Sequence, residues 1–348
     1  MKQIIRNAFD ERYEIRLANE DDVDDRMQFI RLYWKKNHIM GNDKAYFLFE
    51  FKDEDNINFI IAKDKKTNLI EAILGYLKAS KNKDKLDIWG SIWKVNEYHD
   101  NMKLLGVELE KRLEVLSGCR YHNGIGINNK TALPLMRLFL KHKTDKMNHY
   151  YIVNDKIENY EIAVIDRKTP LIKKGIRDNI KKIYNFDEII RSIDIDENSN
   201  IPYKDSWYYK KKYFNNPKRK YITYGIESEE KKGMLDAFFI TRECEYNNRK
   251  VLRILDYFGN RKKIVKAHDF FVDLLYQMNY EYIDFYNYGY EEEYLIEAGF
   301  NKRVDGDTNI IPNYFEPFVR QNIEIWIHFE VNNVLIFKGD GDQDRANI

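Results

Sequence analysis

Between Val95 and Asn129 the chain brings together proton acceptors, a helix start and a small backbone position. Glu97 and His99 follow a strand-like run from Leu86 to Val95, and His122 falls on the next such run, Arg120 to Ile127. A carboxylate or a histidine at a strand end can exchange a proton with a bound reactant. Asn96 to Asn101 is polar and turn-like, and an amphipathic helix then runs from Met102 to Leu116. Gly106 stands in its first turns, where a side chain would hold an anion away from the backbone amides. Helix starts offer unpaired N–H groups and the positive end of the helix dipole. Asn101, Met102, Lys103, Leu104, Leu105, Gly106 and Val107 are therefore expected to surround a phosphate-bearing group, with Val95 on the adjoining strand. The alternative reading is that Gly106 only lets the helix pack closely on its sheet.

The elements that must position these residues come in a definite order: strand, turn, helix, strand, and a helix led by Asn128 and Asn129. That order resembles the acyl-CoA-binding half of GNAT-type N-acetyltransferases. In that family a Gln/Arg-x-x-Gly-x-Gly/Ala turn holds the CoA pyrophosphate. Asn101, Leu104 and Gly106 take those places here, so one of the three is kept. The family's later block, Asn-x-x-Ala-x-x-x-Tyr, falls on Asn129, Ala132 and Met136, so the tyrosine that often protonates the departing thiolate is absent. The resemblance implies acetyl-CoA, or another short acyl-CoA, held by residues 101–107 with Val95 and Asn129. It also implies a base drawn from Glu97, His99 and His122, and no metal.

Upstream, Tyr13–Ala18 alternates as a strand, Asn19 caps a helix reaching Trp34, and 58–63 with 70–77 form a hairpin. Downstream, 150–153 and 160–165 are expected to form a second hairpin. The second half repeats the layout: strands at 221–224, 234–241 and 250–257, a helix from Ile264, a strand at 282–286, and Glu292 to Phe300 in the place of the later block. Residues 323–338 are expected to supply two strands across a tight turn at Val331–Val334. The expected fold is α/β (α+β), two GNAT-like units in tandem, each a mixed sheet flanked by helices. Residues 1–168 would form the acyl-CoA-binding unit, and 169–348 the unit that contributes to a substrate cleft.

Asp256, Tyr257 and Tyr286, at strand ends of the second unit, are candidates for that cleft's wall. Trp207 to Arg219 mixes cations with aromatic faces, a surface suited to a nucleotide or simply to solvent. The last segment, Lys338 to Asn347, is rich in glycine and aspartate but too short for a calcium-binding helix–loop–helix. It resembles tails of sugar-modifying proteins in bacterial surface-polysaccharide pathways. That resemblance implies Arg345 pairing with a diphosphate and Asp342, Gln343 and Asp344 meeting hydroxyls; the alternative is a solvated end.

The expected function is acyl-CoA-dependent N-acylation, N-acetylation by resemblance, of a dTDP- or UDP-linked amino sugar. Two alternatives stand: a peptidoglycan-type aminoacyl ligase on the same tandem fold, and a non-catalytic binding protein on a decayed acyltransferase scaffold. With 58 basic against 57 acidic side chains, no general grip on nucleic acid is expected. No apolar run reaches the ~18–20 residues that span a bilayer, and Met1–Arg6 is not a secretory signal. Cys119 and Cys244 form no metal-ligand spacing. A cytoplasmic monomer or homodimer is the expectation.

Overall fold

Alternating apolar side chains build an antiparallel run of four strands, Tyr13–Ala18 (β1), Asn56–Asp64 (β2), Ile70–Lys78 (β3) and Asp87–Val95 (β4). The computed structural model describes residues 6–54, 56–176 and 179–347. The turn between β2 and β3 is held by the Asp64 carboxylate, which accepts the N–H groups of Lys66 and Thr67. The helix Leu105–Ser117 (α1) lays Leu105, Leu109 and Leu113 against Ile60, Ala62, Ala72 and Leu74 of the sheet. It ends at Gly118, whose φ of 68° favours glycine. On the opposite face Val23, Met27, Phe29, Phe47 and Phe51 pack on Phe59, Ile61 and Ile73.

Tyr121–Ile125 (β5) then lies parallel to β4, followed by Lys143–Lys146 (β6). The second sheet draws on Asn148–Val153 (β7), Ile180–Ile183 (β8), Ile222–Glu227 (β9), Leu235–Tyr246 (β10), Arg249–Gly259 (β11) and Tyr280–Tyr288 (β12). Its helix His268–Gln277 (α2) buries Phe271, Val272 and Leu275. Two late strands, Trp326–Phe329 (β13) and Ile336–Phe337 (β14), join the two sheets. The first sheet runs β1-β2-β3-β4-β5-β13-β6 and the second β7-β12-β11-β10-β9-β8, with the short strand Asn301–Lys302 outside β7 and β14 against β12. In each, one parallel pair, β4 with β5 or β11 with β12, interrupts antiparallel neighbours. The fold is α/β with two similar units, as expected.

Two connections differ from the sequence reading. Residues 150–153 do not form a hairpin with 160–165; β7 pairs with β12 of the second sheet, and Val164 only bridges Ile310. Nor do the two late strands pair with each other: β13 enters the first sheet between β5 and β6, and β14 enters the second. Trp89, Ile125, Met147, Tyr286, Ile327 and Ile336 share one apolar cluster that fastens the sheets together. Strand membership therefore does not divide at residue 168. Among the described residues no helix is long and apolar enough to cross a membrane. Residues 1–5, part of the segment read as lacking a secretory signal, lie outside the described residues.

Candidate functional site

The parallel pairing of β4 and β5 covers only Asp87, Ile88 and Trp89 against Tyr121, His122 and Asn123. Beyond it the strands part. Ser91 and Ile92 sit between the Gly90–Tyr76 and Trp93–Leu74 pairs, so β4 carries a bulge opposite Gly75. From Ser91 to Val95 the strand is paired on its β3 side, and its other edge has no strand partner among the described residues. Ser91, Trp93, Lys94 and Val95 are half-buried there.

At the far end of this edge, a network rooted in the buried Glu71 carboxylate fixes the turn before α1. It accepts hydrogen bonds from Asn96 and Asn101 amides, each at 3.1 Å, and meets His99 Nδ1 at 2.8 Å. The Tyr13 hydroxyl donates to Asn101 Oδ1 at 2.9 Å and accepts the Met102 N–H at 3.0 Å. Asn101 is thus a brace whose amide is engaged within the protein. Lys103 and Leu104 are exposed, and Leu104 takes a left-handed conformation with φ 66° before the helix. A Cβ on Gly106 would come within 2.9 Å of Trp93 Nε1 and 3.1 Å of Val95 Cγ2. Gly106 therefore serves close packing, and what it packs on is β4 itself. Leu105 and Val107 are buried beside it.

The three expected bases do not converge. Glu97 is exposed and accepts a hydrogen bond from Lys94 Nζ at 2.6 Å. His99 is oriented by Glu71, as a working base would be. His122 is buried beside His142 and His328, in register with Ile88 at the opposite end of β4. Asn129 is exposed, and its neighbour Asn128 makes the turn by accepting the N–H groups of Lys130 and Thr131.

The second unit has a different gap. Where β11 and β12 part, Phe337 pairs with Asn287, and Lys338 and Gly339 donate their N–H groups to the carbonyls of Tyr286 and Leu255. That gap is filled by the protein's own backbone. Beside it, the turn after β11 opens on a cavity of about 350 Å³ lined by Tyr257, Asn260, Arg261, Lys262, Glu291 and Tyr294. Tyr257 reaches this wall. Asp256 does not: it is sealed, accepting Lys204 Nζ at 2.8 Å and the Tyr213 hydroxyl at 2.8 Å. Tyr286 is also internal, stacked on His149 with ring centres 3.8 Å apart.

Past Gly339 the tail crosses to the first unit, and it is neither solvated nor frayed. Gly341 packs on Trp89 and Ile125, and Asp344 is held by Arg242 at 2.6 Å. Asp342 Oδ2 accepts the Ser91 hydroxyl at 2.8 Å, directly at the β4 bulge. Arg345 is buried and spans Glu50, Asp342 and Ser91, so its charge is spent within the protein. Beside Gly341, a cavity of about 40 Å³ is lined by Glu50, Trp89, Trp207, Lys211 and Lys212. Burial lowers the Lys211 ammonium to about 8, and Lys212, lowered for the same reason, donates to the Gly341 carbonyl at 2.6 Å. Ser91 and Glu50 carry no site signal in the sequence, whereas Lys211 and Lys212 belong to the Trp207–Arg219 stretch read as a surface for a nucleotide or for solvent.

No protein-family model matches the chain, and no curated protein does. Solved structures do match. A conserved protein from Enterococcus faecalis, described as a probable N-acyltransferase, aligns with 92% of this chain and 73% of its own at 10% identity, TM-score 0.55. A GCN5-related N-acetyltransferase from Anabaena variabilis aligns with 91% of this chain and 72% of its own at 9% identity, TM-score 0.51. The fold is GNAT-like. A tandem GNAT protein from the clavulanic acid biosynthesis pathway aligns over 91% of this chain and 97% of its own, at 9% identity and TM-score 0.44. At such identities the GNAT likeness speaks for architecture, and chemistry has to be argued from the site.

Proposed function

We propose that the protein is an acyl-CoA-dependent N-acyltransferase whose donor lies along the free edge of β4. The observation that carries this reading is the asymmetry of the two gaps: the β11–β12 gap is closed by residues 336–339, whereas β4 from Ser91 to Val95 keeps an unpaired edge. An extended pantetheine arm can hydrogen-bond to such an edge as an added strand would. Its diphosphate would rest at the exposed Lys103–Leu104 turn, at the positive end of α1. From Val95 back to Ser91 is ~13 Å along a strand, which carries the thioester toward the bulge.

In this reading the substrate is a short-chain acyl-CoA, acetyl-CoA first, with a nucleotide-linked amino sugar as acceptor. The cavity beside Lys262 supports the second part, since a cation and the backbone of a turn suit a diphosphate; Arg261 at its wall is held by Glu291 at 2.6 Å. The amine attacks the thioester carbonyl, the C–N bond forms and the C–S bond breaks. Asp342 accepts the amine's proton, and Lys211, whose pKa of about 8 lies close to that of a thiol, returns one to the departing thiolate. Lys211 thereby fills the role of the absent tyrosine. His99 and Glu71 hold the diphosphate turn in place.

The test is thiol release from acetyl-CoA in the presence of UDP- and dTDP-linked amino sugars, together with a structure soaked with CoA. Release that depends on the amino sugar, with CoA along β4, is the expected result. CoA bound at the β11 turn instead, or no release across a broad panel, overturns the reading.

A further inference from the structure

On the α1 side of the first sheet, away from the β4 edge, six polar side chains gather around the late strand β13. Glu110 and Glu114 occupy one face of α1, a helical turn apart. His122 lies on β5, His328 on β13, Glu330 just past it, and His142 on the turn before β6. One donor atom each from Glu114, His142 and Glu330 fall within 4.8 Å of one another. His142 is buried and the two carboxylates are half-buried.

We propose that Glu114, His142 and Glu330 bind one divalent transition cation, Zn²⁺ being the best fit, with water completing the coordination. Two carboxylates and one neutral imidazole exactly balance the charge of such an ion, and imidazole selects against Mg²⁺ and Ca²⁺, which favour all-oxygen sites. Zinc bonds of about 2.1 Å set tetrahedral donors about 3.4 Å apart, so binding draws the three donor atoms inward from their present spacing, around a Glu330 whose Oε1 accepts the His122 N–H at 2.5 Å. His142 Nδ1 faces His328 Nδ1 at 2.9 Å, a contact that fixes the orientation of the ring.

The neighbouring polar groups tie the same elements together. Glu110 Oε2, one turn before Glu114, makes no hydrogen bond and lies 3.7 Å from His122 Nδ1, and the His122 backbone N–H donates to Glu330 Oε1 at 2.5 Å. A buried carboxylate oxygen without a hydrogen bond marks a region whose polarity the protein does not satisfy by itself. The bound ion would pin β13 to α1 and to the turn before β6, three segments far apart in sequence.

Full-length protein stripped with chelator and titrated with ZnCl₂ alone is expected to take up one Zn²⁺ per chain and to melt at a higher temperature. The double variant Glu114→Gln, Glu330→Gln is expected to bind at least a hundredfold more weakly with its near-UV circular dichroism unchanged. Co²⁺ added to the wild-type protein is expected to show the intense visible bands of a low-coordinate nitrogen–oxygen site. Zinc affinity in the double variant equal to wild type overturns the proposal, as does wild-type protein that takes up no zinc. If the double variant loses its near-UV signal, the wild-type Co²⁺ spectrum decides, and bands no different from aqueous Co²⁺ overturn the assignment.

Discussion

Gly339 donates its backbone N–H to the carbonyl of Leu255 at 2.7 Å, and that contact closes the gap between the parallel strands of the second unit. A Cβ at residue 339 would lie 2.6 Å from the Leu255 carbonyl oxygen and would also strike the Tyr213 hydroxyl. Gly339→Ala is expected to destabilise the protein by about 1–3 kcal/mol. Urea unfolding monitored by tryptophan fluorescence checks it, and an unchanged midpoint would mean that the tail can lift from the gap.

Gly106→Ala separates the two roles of that glycine. Its Cβ would press on Trp93 and Val95, displacing the start of α1 from the free edge. CoA affinity is expected to fall about tenfold, ~1.4 kcal/mol. Calorimetric titration with CoA, alongside a melting curve, measures both effects. A lower melting temperature with unaltered CoA affinity would leave the glycine a packing role only.

Lys204 neutralises two buried carboxylates, Asp256 at 2.8 Å and Asp340 at 3.1 Å. Lys204→Met strands both charges and is expected to cost about 3–5 kcal/mol. The double variant Lys204→Met, Asp256→Asn should recover part of that loss, a coupling that a denaturation cycle reads directly.

Asp342→Asn keeps the shape of the side chain at the β4 bulge and removes its basicity. Turnover is expected to drop about a hundredfold or more while the melting temperature stays within a few degrees. A rate close to wild type would assign proton removal elsewhere, with His99 the first alternative.

Burial lowers the Lys338 ammonium to about 7, with Arg253 adding to the effect. Between pH 7 and the ordinary value of 10.5 the unfolded chain holds a proton that the folded protein has released, so stability rises with pH across that window. Below pH 7 both states are charged and the full penalty applies. Lys338→Met is therefore expected to raise stability most at pH 7 and below, with the gain shrinking toward pH 10.5. Melting curves across this range provide the check.

Local pattern carried the strands well. Tyr13–Ala18, the hairpin across Asp64–Asn68 and the two strands Asp87–Val95 and Tyr121–Ile125 follow from side-chain alternation and turn chemistry within each segment. What alternation cannot carry is destination. Trp326–Phe329 and Ile336–Phe337 look like the two arms of one hairpin, yet each completes a different sheet because that is where an edge was open. The site divides the same way. The turn at Asn101 could be read from its own residues, but its brace, Glu71, lies a strand away. His122 looked like a base because strand position says nothing of the buried imidazoles, His142 and His328, that surround it.

Because β13 and β14 finish different sheets, a cut at residue 168 would leave the first sheet without β13. During synthesis, both sheets wait with open edges until residues 326–337 have left the ribosome, and open edges invite wrong partners. A single nick between Val319 and Ile325 would separate both closing strands from the rest of the chain together.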